Sequence, residues 1–124
     1  MKRKKANEGE FAKLEVPMQK RAVEKICRKY CVDISGLIIK IQRDPTWLKS
    51  DFCGMADPKQ IGRIDLTPNA FENKQELIKT IIHEGVHVKQ YRKYGSDYVQ
   101  RNRKHMEEVA YRYEKIACKI LGVI

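Results

Sequence analysis

The chain lacks any apolar run that approaches the roughly 20 residues needed for a membrane-spanning helix. Its first ten residues are basic and polar, and they are not followed by the apolar segment of a secretory signal. We therefore expect a cytoplasmic protein that makes no membrane contact. Cysteine is also scarce, with four residues in 124, and in a reducing compartment these are expected to be free thiols.

Cysteine pairs suited to a metal are scarcer still. Cys27 and Cys31 are four residues apart, but no second close pair accompanies them to complete a four-cysteine zinc site. A structural zinc held by cysteines is therefore not expected.

Acidic residues are outnumbered, 16 Asp and Glu against 26 Lys and Arg, which gives a formal charge of +10. This balance is compatible with an acidic partner such as nucleic acid, but a solubilising basic surface is the favoured explanation. Residues 1–10 include part of the charge and are expected to form a disordered tail. A second group could meet phosphates, but no recognised base-reading motif accompanies it. This cationic cluster consists of Arg92, Lys93, Arg101, Arg103 and Lys104.

The remaining residues, 11–124, contain no internal repeat or linker and are long enough for one domain with a real core, expected to be monomeric. Three stretches predict strands: 37–41 by its β-branched run, 47–52 more weakly, and 61–66 by its alternation of apolar and polar residues. Residues 54–60 have the Gly, Asp and Pro of a turn.

Helical periodicity appears before and after these strands. It predicts one helix from Met18 to Cys31. Asn73, with Glu76 three residues later, predicts the start of a second helix that ends at Tyr94 before Gly95. A third is predicted from Asp97 to Leu121. Its apolar stripe is formed by Met106, Val109, Ala110, Tyr113, Ile116, Ala117 and Ile120. The predicted fold class is therefore α+β, with a small three-stranded twisted sheet.

The second of these helices contains the motif His83-Glu84-Gly85-Val86-His87. On a helix, side chains four residues apart project from one face, so both imidazoles can bind one Zn²⁺. Glu84 then lies beside a water held by the metal and can act as its general base. Gly85 lowers helix stability, so it either admits close approach of another segment or its cost is absorbed.

A catalytic zinc normally takes three protein ligands, so one more must come from elsewhere. The last helix offers His105, Glu107, Glu108 and Glu114. On a helical projection Glu107 lies on the flank of the apolar stripe, whereas Glu108 points nearly away from it. Glu107 is therefore favoured as the third ligand, and the other three stay open. Glu114, two turns after Glu107, could instead hydrogen-bond a ligating histidine.

The motif followed by Glu107 resembles the gluzincin clan of zinc metallopeptidases, typified by thermolysin. Residues 82–110 also look like the cores of small phage and mobile-element peptidases, in which a His-Glu-x-x-His helix precedes a helix with Glu-x-x-Ala, met here by Glu107 and Ala110. The chain departs from such relatives at Tyr111, where many have a small polar residue that supports a ligating histidine. Glu114 is the candidate to replace that residue.

The resemblance implies a zinc-dependent endopeptidase whose active-site helix packs beneath a small sheet. The edge strand of that sheet would bind an extended peptide substrate, and residues 61–66 fit this role by position. A donor to the oxyanion is also expected from among Tyr91, Tyr94, Tyr98, Tyr111 and His105. The alternative functions are a basic nucleic-acid-binding or regulatory module with a non-catalytic zincin-like site, and a peptidase-like toxin or effector with one narrow target.

Overall fold

The computed structural model describes residues 7–123, and within them the fold is α+β, as predicted. The α-helices are α1 (Lys20–Lys29), α2 (Lys74–Tyr94), α3 (Ser96–Arg101) and α4 (Arg103–Leu121), and the strands are β1 (Ile38–Ile41), β2 (Gly54–Ala56) and β3 (Arg63–Leu66). Short 3-10 helices span Gly9–Phe11, Pro45–Lys49 and Pro68–Phe71. Among the described residues, no helix has the length and apolar character to cross a membrane.

The sheet has the order β1-β3-β2. β3 pairs in parallel with β1, with Ile64 beside Ile39, and antiparallel with β2, with Asp65 beside Met55. β3 is therefore the central strand, so the expectation that residues 61–66 form a peptide-binding edge is wrong. The edge strand on the side of α2 is β2, which contacts that helix directly.

The second predicted strand, residues 47–52, is also wrong. Asp44 accepts a hydrogen bond from the backbone N–H of Thr46 at 3.0 Å, and Pro45 has the fixed φ that suits a first helical turn, so a 3-10 helix forms over Pro45–Lys49. The second strand in sequence order, β2, lies instead at Gly54–Ala56, in the segment that was predicted to be a turn.

The second predicted helix is confirmed as α2. Asn73 caps it, since its side chain accepts a hydrogen bond from the Glu76 N–H at 2.8 Å, and it ends at Gly95, whose φ is 84°. Five apolar residues of α2 are buried in the core beside the sheet. These are Leu77, Ile78, Ile81, Ile82 and Val88. α1 is confirmed within its predicted bounds and adds Val23 and Cys27 to this core.

The single predicted C-terminal helix is two helices. The chain leaves helical geometry at Asn102 (φ −109°, ψ 28°), whose side chain donates to the carbonyl of Tyr98, and α3 ends there before α4 begins. The predicted apolar stripe of α4 is only partly correct. Met106 and Ala110 are buried, whereas Ile116 and Ile120 are 55% and 78% exposed. The inward face passes instead through Glu107, Glu114 and the buried Cys118.

Residues 1–6 of the predicted tail lie outside the described residues. Asn7 already bonds to the fold: its amide donates to the carbonyls of Leu14 and Val16, and its side-chain oxygen accepts from the N–H of Met18. Asn7, which we expected to belong to the tail, is therefore hydrogen-bonded to residues 14–18.

Candidate metal centre

Helix α2 presents His83 and His87 one turn apart on the face that packs against α4. Each histidine is buried to 7% relative exposure. Their Nε2 atoms are 3.2 Å apart, and the two rings meet edge to face with centroids 4.9 Å apart. The spacing of the motif therefore brings both Nε2 atoms to one point, as the helical periodicity predicted.

Helix α4 supplies Glu107 to the same point. Glu107 Oε2 lies 3.4 Å from His83 Nε2, and its Oε1 directly contacts His87 Nε2. Glu108 and His105 are exposed to solvent. Of the four alternatives, Glu107 is thus the residue that the structure groups with both Nε2 atoms, in a cluster able to hold a metal ion.

Two of the separations within this cluster match a zinc coordination shell. Ligands at about 2.0–2.1 Å from the metal in a tetrahedron are about 3.3–3.4 Å from one another. The separations from His83 Nε2 to His87 Nε2 and to Glu107 Oε2 are 3.2 and 3.4 Å. Two imidazoles and one carboxylate are also a donor set that zinc takes in catalytic sites, with a fourth position for water. The residues present therefore fit a zinc ion.

Glu114 lies behind His83, on the side away from this cluster. Its Oε1 is 3.2 Å from His83 Nδ1, yet Nδ1 makes no hydrogen bond to any described residue. Desolvation raises the pKa of the Glu114 carboxyl, and the proximity of His83 partly offsets this. Glu114 is thus close to His83, but the predicted hydrogen bond to a ligating histidine is not formed, and its supporting role stays a prediction.

Tyr111 occupies the position at which the resembled peptidases often have a small polar residue. Its ring lies over His83, with centroids 4.5 Å apart, and the side chain is 58% exposed. It therefore contacts the face of the imidazole, while Glu114 is the side chain beside Nδ1. The departure from the pattern thus leaves His83 flanked by both an aromatic ring and a carboxylate.

Glu84 is held beside the histidines by the edge strand. Its Oε1 accepts a hydrogen bond from the backbone N–H of Ala56 in β2 at 3.1 Å. Desolvation raises the pKa of its carboxyl from 4.5 to about 8, the bond from Ala56 opposes this, and the negative charges of Glu107 and Glu114 add to it. A carboxyl with a pKa near neutrality is suited to exchange protons during a reaction.

β2 can lie close to α2 because Gly54, which faces the helix, has no side chain. A Cβ added to Gly54 would lie 2.7 Å from Thr80 Cγ2, 3.1 Å from the carbonyl oxygen of Asp65 and 3.5 Å from Glu84 Cγ. Gly54 therefore has no room for a side chain, because the strand rests on the helix one turn before Glu84. Gly85, by contrast, would place a Cβ with no atom within 4 Å, so its glycine is not explained by close approach of a described residue.

An open cleft of about 910 Å³ runs past these residues between β2 and the helices. Of the five predicted oxyanion donors, Tyr91 and Tyr111 line the cleft, together with Arg103 from the cationic cluster. Tyr94 and Tyr98 stack on each other with ring centroids 5.1 Å apart, and His105 is exposed. The candidates for the oxyanion donor among the predicted residues thus narrow to Tyr91 and Tyr111.

Two contacts of the site involve residues that sequence reasoning missed. Gln90 is buried at 7% exposure, and its Oε1 lies 2.8 Å from His87 Nδ1. Its position seven residues after His83 and three after His87, on one helical stripe, is a signal that could have identified it. The role of Ala56 could not be found in this way, because it depends on a backbone N–H in a three-residue strand.

The five residues of the cationic cluster are all exposed. Arg92 donates to the carbonyl of Gly36 at 3.0 Å, and Arg103 faces the cleft. Nucleic-acid binding by this cluster stays a prediction.

The chain matches no protein-family model, no curated protein and no solved structure.

Proposed function

We propose that the protein is a zinc-dependent endopeptidase of the zincin type, with His83, His87 and Glu107 as metal ligands. The observation that supports this most strongly is the convergence of His83 Nε2, His87 Nε2 and the Glu107 carboxylate, in which the separations from His83 Nε2 to the other two match those of ligands in a tetrahedral zinc shell. A bound divalent cation would satisfy both buried imidazole nitrogens and the carboxylate that faces them.

Zinc, when bound, would acidify a water molecule and polarise the carbonyl of the peptide bond to be cleaved. Glu84 accepts a proton from the attacking water, whose oxygen forms a bond to the carbonyl carbon. The carbon–nitrogen bond then breaks, and Glu84 returns the proton to the leaving amine. The hydrogen bond from Ala56 holds one carboxylate oxygen of Glu84 and leaves the other free for this exchange.

The substrate in this proposal is an extended peptide that adds to β2. Cys53 and Asp57 direct backbone hydrogen bonds toward the β3 side, and backbone groups alternate in direction along an antiparallel strand. Gly54 and Ala56 therefore direct theirs toward the cleft. The Ala56 N–H is taken by Glu84, which leaves the Gly54 N–H and the two carbonyls to pair with a peptide.

The experiment that tests this function compares wild-type protein with Glu84→Gln. Both are incubated with dye-labelled casein and with random-sequence peptides, and products are detected by fluorescence and mass spectrometry. Wild type should cleave, whereas Glu84→Gln should keep its zinc and lose about 10²–10⁴-fold in rate, the usual contribution of a general base. Glu108→Gln, an exposed change of the same kind, is the matched control and should cleave as wild type does.

A wild-type protein that binds zinc without hydrolysing any of these substrates, or a Glu84→Gln variant as active as wild type, would contradict the peptidase assignment. Zinc retention in the variant is measured in the same samples, so that loss of metal is not mistaken for loss of the base.

A further inference from the structure

A chain of two hydrogen bonds joins His87 to helix α4 through the buried side chain of Gln90. The Gln90 amide nitrogen donates to the backbone carbonyl of Met106 at 3.1 Å, and the amide oxygen lies 2.8 Å from His87 Nδ1. Met106 immediately precedes Glu107. One side chain therefore contacts both a histidine of the cluster and the turn of α4 that contains the third member.

The carbonyl of Met106 fixes which way the Gln90 amide points. A backbone carbonyl can only accept, so the atom that faces it must be the NH₂ group. The amide oxygen consequently faces His87 Nδ1, and since that oxygen can only accept, Nδ1 must provide the proton. In the neutral imidazole this leaves the lone pair on Nε2 of His87, the atom that faces His83 and Glu107.

We propose that Gln90 is a positioning residue of the metal centre, which fixes the Nδ1–H tautomer of His87 and ties that ring to the turn of α4 that provides Glu107. This inference rests on the proposed zinc site. A second partner on a ligating histidine generally improves metal affinity about 10–100-fold, because it holds the ring and its tautomer ready for the metal. Gln90 does this from the same helix as the histidine and connects it to the helix of the carboxylate.

Core packing alone does not explain a glutamine at position 90. Gln90 is among the few polar residues buried in the described chain, and a buried amide is costly unless its donor and acceptor are both used. Here both are used, one toward each side of the site. Leucine has a similar size and would fill the space without that cost, so the amide is explained by its two partners.

The test uses Gln90→Leu, which removes both hydrogen bonds, and Gln90→Glu, which keeps an acceptor for His87 Nδ1. The tautomer of His87 is read from nitrogen-15 chemical shifts of the imidazole in metal-free protein, at a pH where the ring is neutral. Zinc affinity is measured by competition with a chromophoric chelator. Val88→Ala is the control, since Val88 is buried in α2 at 1% exposure and belongs to the apolar core.

Wild type and Gln90→Glu should hold the Nδ1–H tautomer, whereas Gln90→Leu should populate the Nε2–H form and bind zinc about 10–100-fold more weakly. Val88→Ala should lower the free energy of unfolding and leave zinc affinity within about twofold of wild type, because its side chain belongs to the apolar core and gives no ligand atom to the cluster. An unchanged tautomer in Gln90→Leu, or a zinc affinity equal to that of Val88→Ala, would overturn the proposal. If wild type bound no zinc, the proposed function would fail, and the tautomer would still decide whether Gln90 orients His87.

Discussion

Replacement of Glu84 by glutamine should change how the stability of the metal-free protein depends on pH. The carboxyl of Glu84 has its pKa raised from 4.5 to about 8, chiefly by desolvation. Each unit of difference in pKa between the folded and unfolded chains corresponds to about 1.4 kcal/mol. The free energy linked to this group is therefore on the order of 5 kcal/mol, a large fraction of the stability of a small domain.

The direction of this pH dependence follows from whether Glu84 is protonated in the folded and in the unfolded chain. Below pH 4.5 the carboxyl is protonated in both the folded and the unfolded chain. Between pH 4.5 and about 8 the unfolded chain releases the proton while the folded chain retains it. Because the unfolded state then binds fewer protons, the free energy of unfolding falls as pH rises through this window. Glutamine has no such proton, so the Glu84→Gln protein should lose this part of the slope.

The assay is urea denaturation of chelator-treated protein at several pH values from 4.5 to 8. Glu84→Gln should gain stability relative to wild type as pH rises, by several kcal/mol, while Glu108→Gln, which changes an exposed carboxyl, should follow wild type. Glu114, whose pKa is also raised, is present in all three proteins and cancels from the comparison. Equal pH slopes for wild type and Glu84→Gln would refute the assignment of Glu84 as a desolvated acid.

Two glycines should respond in opposite ways to alanine, and both changes are measured as free energies of unfolding in urea. Gly85→Ala should stabilise the protein by about 1 kcal/mol, because the position is helical and the new Cβ meets no atom within 4 Å; a loss would mean that the helix is contacted there. Gly54→Ala should cost about 1–3 kcal/mol, since its Cβ would lie 2.7 Å from Thr80 Cγ2. Adding Thr80→Ser, which removes the Cγ2 methyl group, should recover part of the lost free energy of unfolding. No recovery would show that the cost of Gly54→Ala does not come from the contact with Thr80.

Much of the site could be predicted because α2 is defined by local signals. The Asn73 cap, the apolar periodicity and Gly95 all lie within the helix or at its ends, and two histidines four residues apart share a face of any helix. Glu107 was favoured by a projection of the last helix and by the Glu-x-x-Ala spacing, although the apolar stripe used in that projection is only partly correct. The inferences about α2 need only the chain within a few turns of each residue, whereas Glu107 also required the last helix to fold back against α2.

The sheet could not be predicted in the same way. β2 has only three residues, including Gly54, and it forms because β3 provides partners about ten residues later in the chain. Its propensity is that of a turn, and a long-range pairing overrides it. The 3-10 helix at Pro45–Lys49 shows the reverse case, in which a local cap at Asp44 overrides the apolar residues that favoured a strand.

The apolar stripe of α4 failed for a reason connected with the site. Periodicity assigns apolar side chains to the interior, yet the face of α4 that meets α2 includes the acidic residues Glu107 and Glu114, which face the histidines. Ile116 and Ile120 consequently lie on the exposed side. A helix that provides polar groups to a buried site breaks the rule from which the stripe was inferred.

The most direct test of the metal centre is the zinc content of purified protein, measured by elemental analysis on wild type, Glu107→Gln and Glu108→Gln after reconstitution and removal of free metal. We expect about one zinc per chain in wild type and in Glu108→Gln, and a loss of most of it in Glu107→Gln, because a catalytic zinc needs its third protein ligand. Full retention of zinc in Glu107→Gln, or no zinc in wild type, would contradict it.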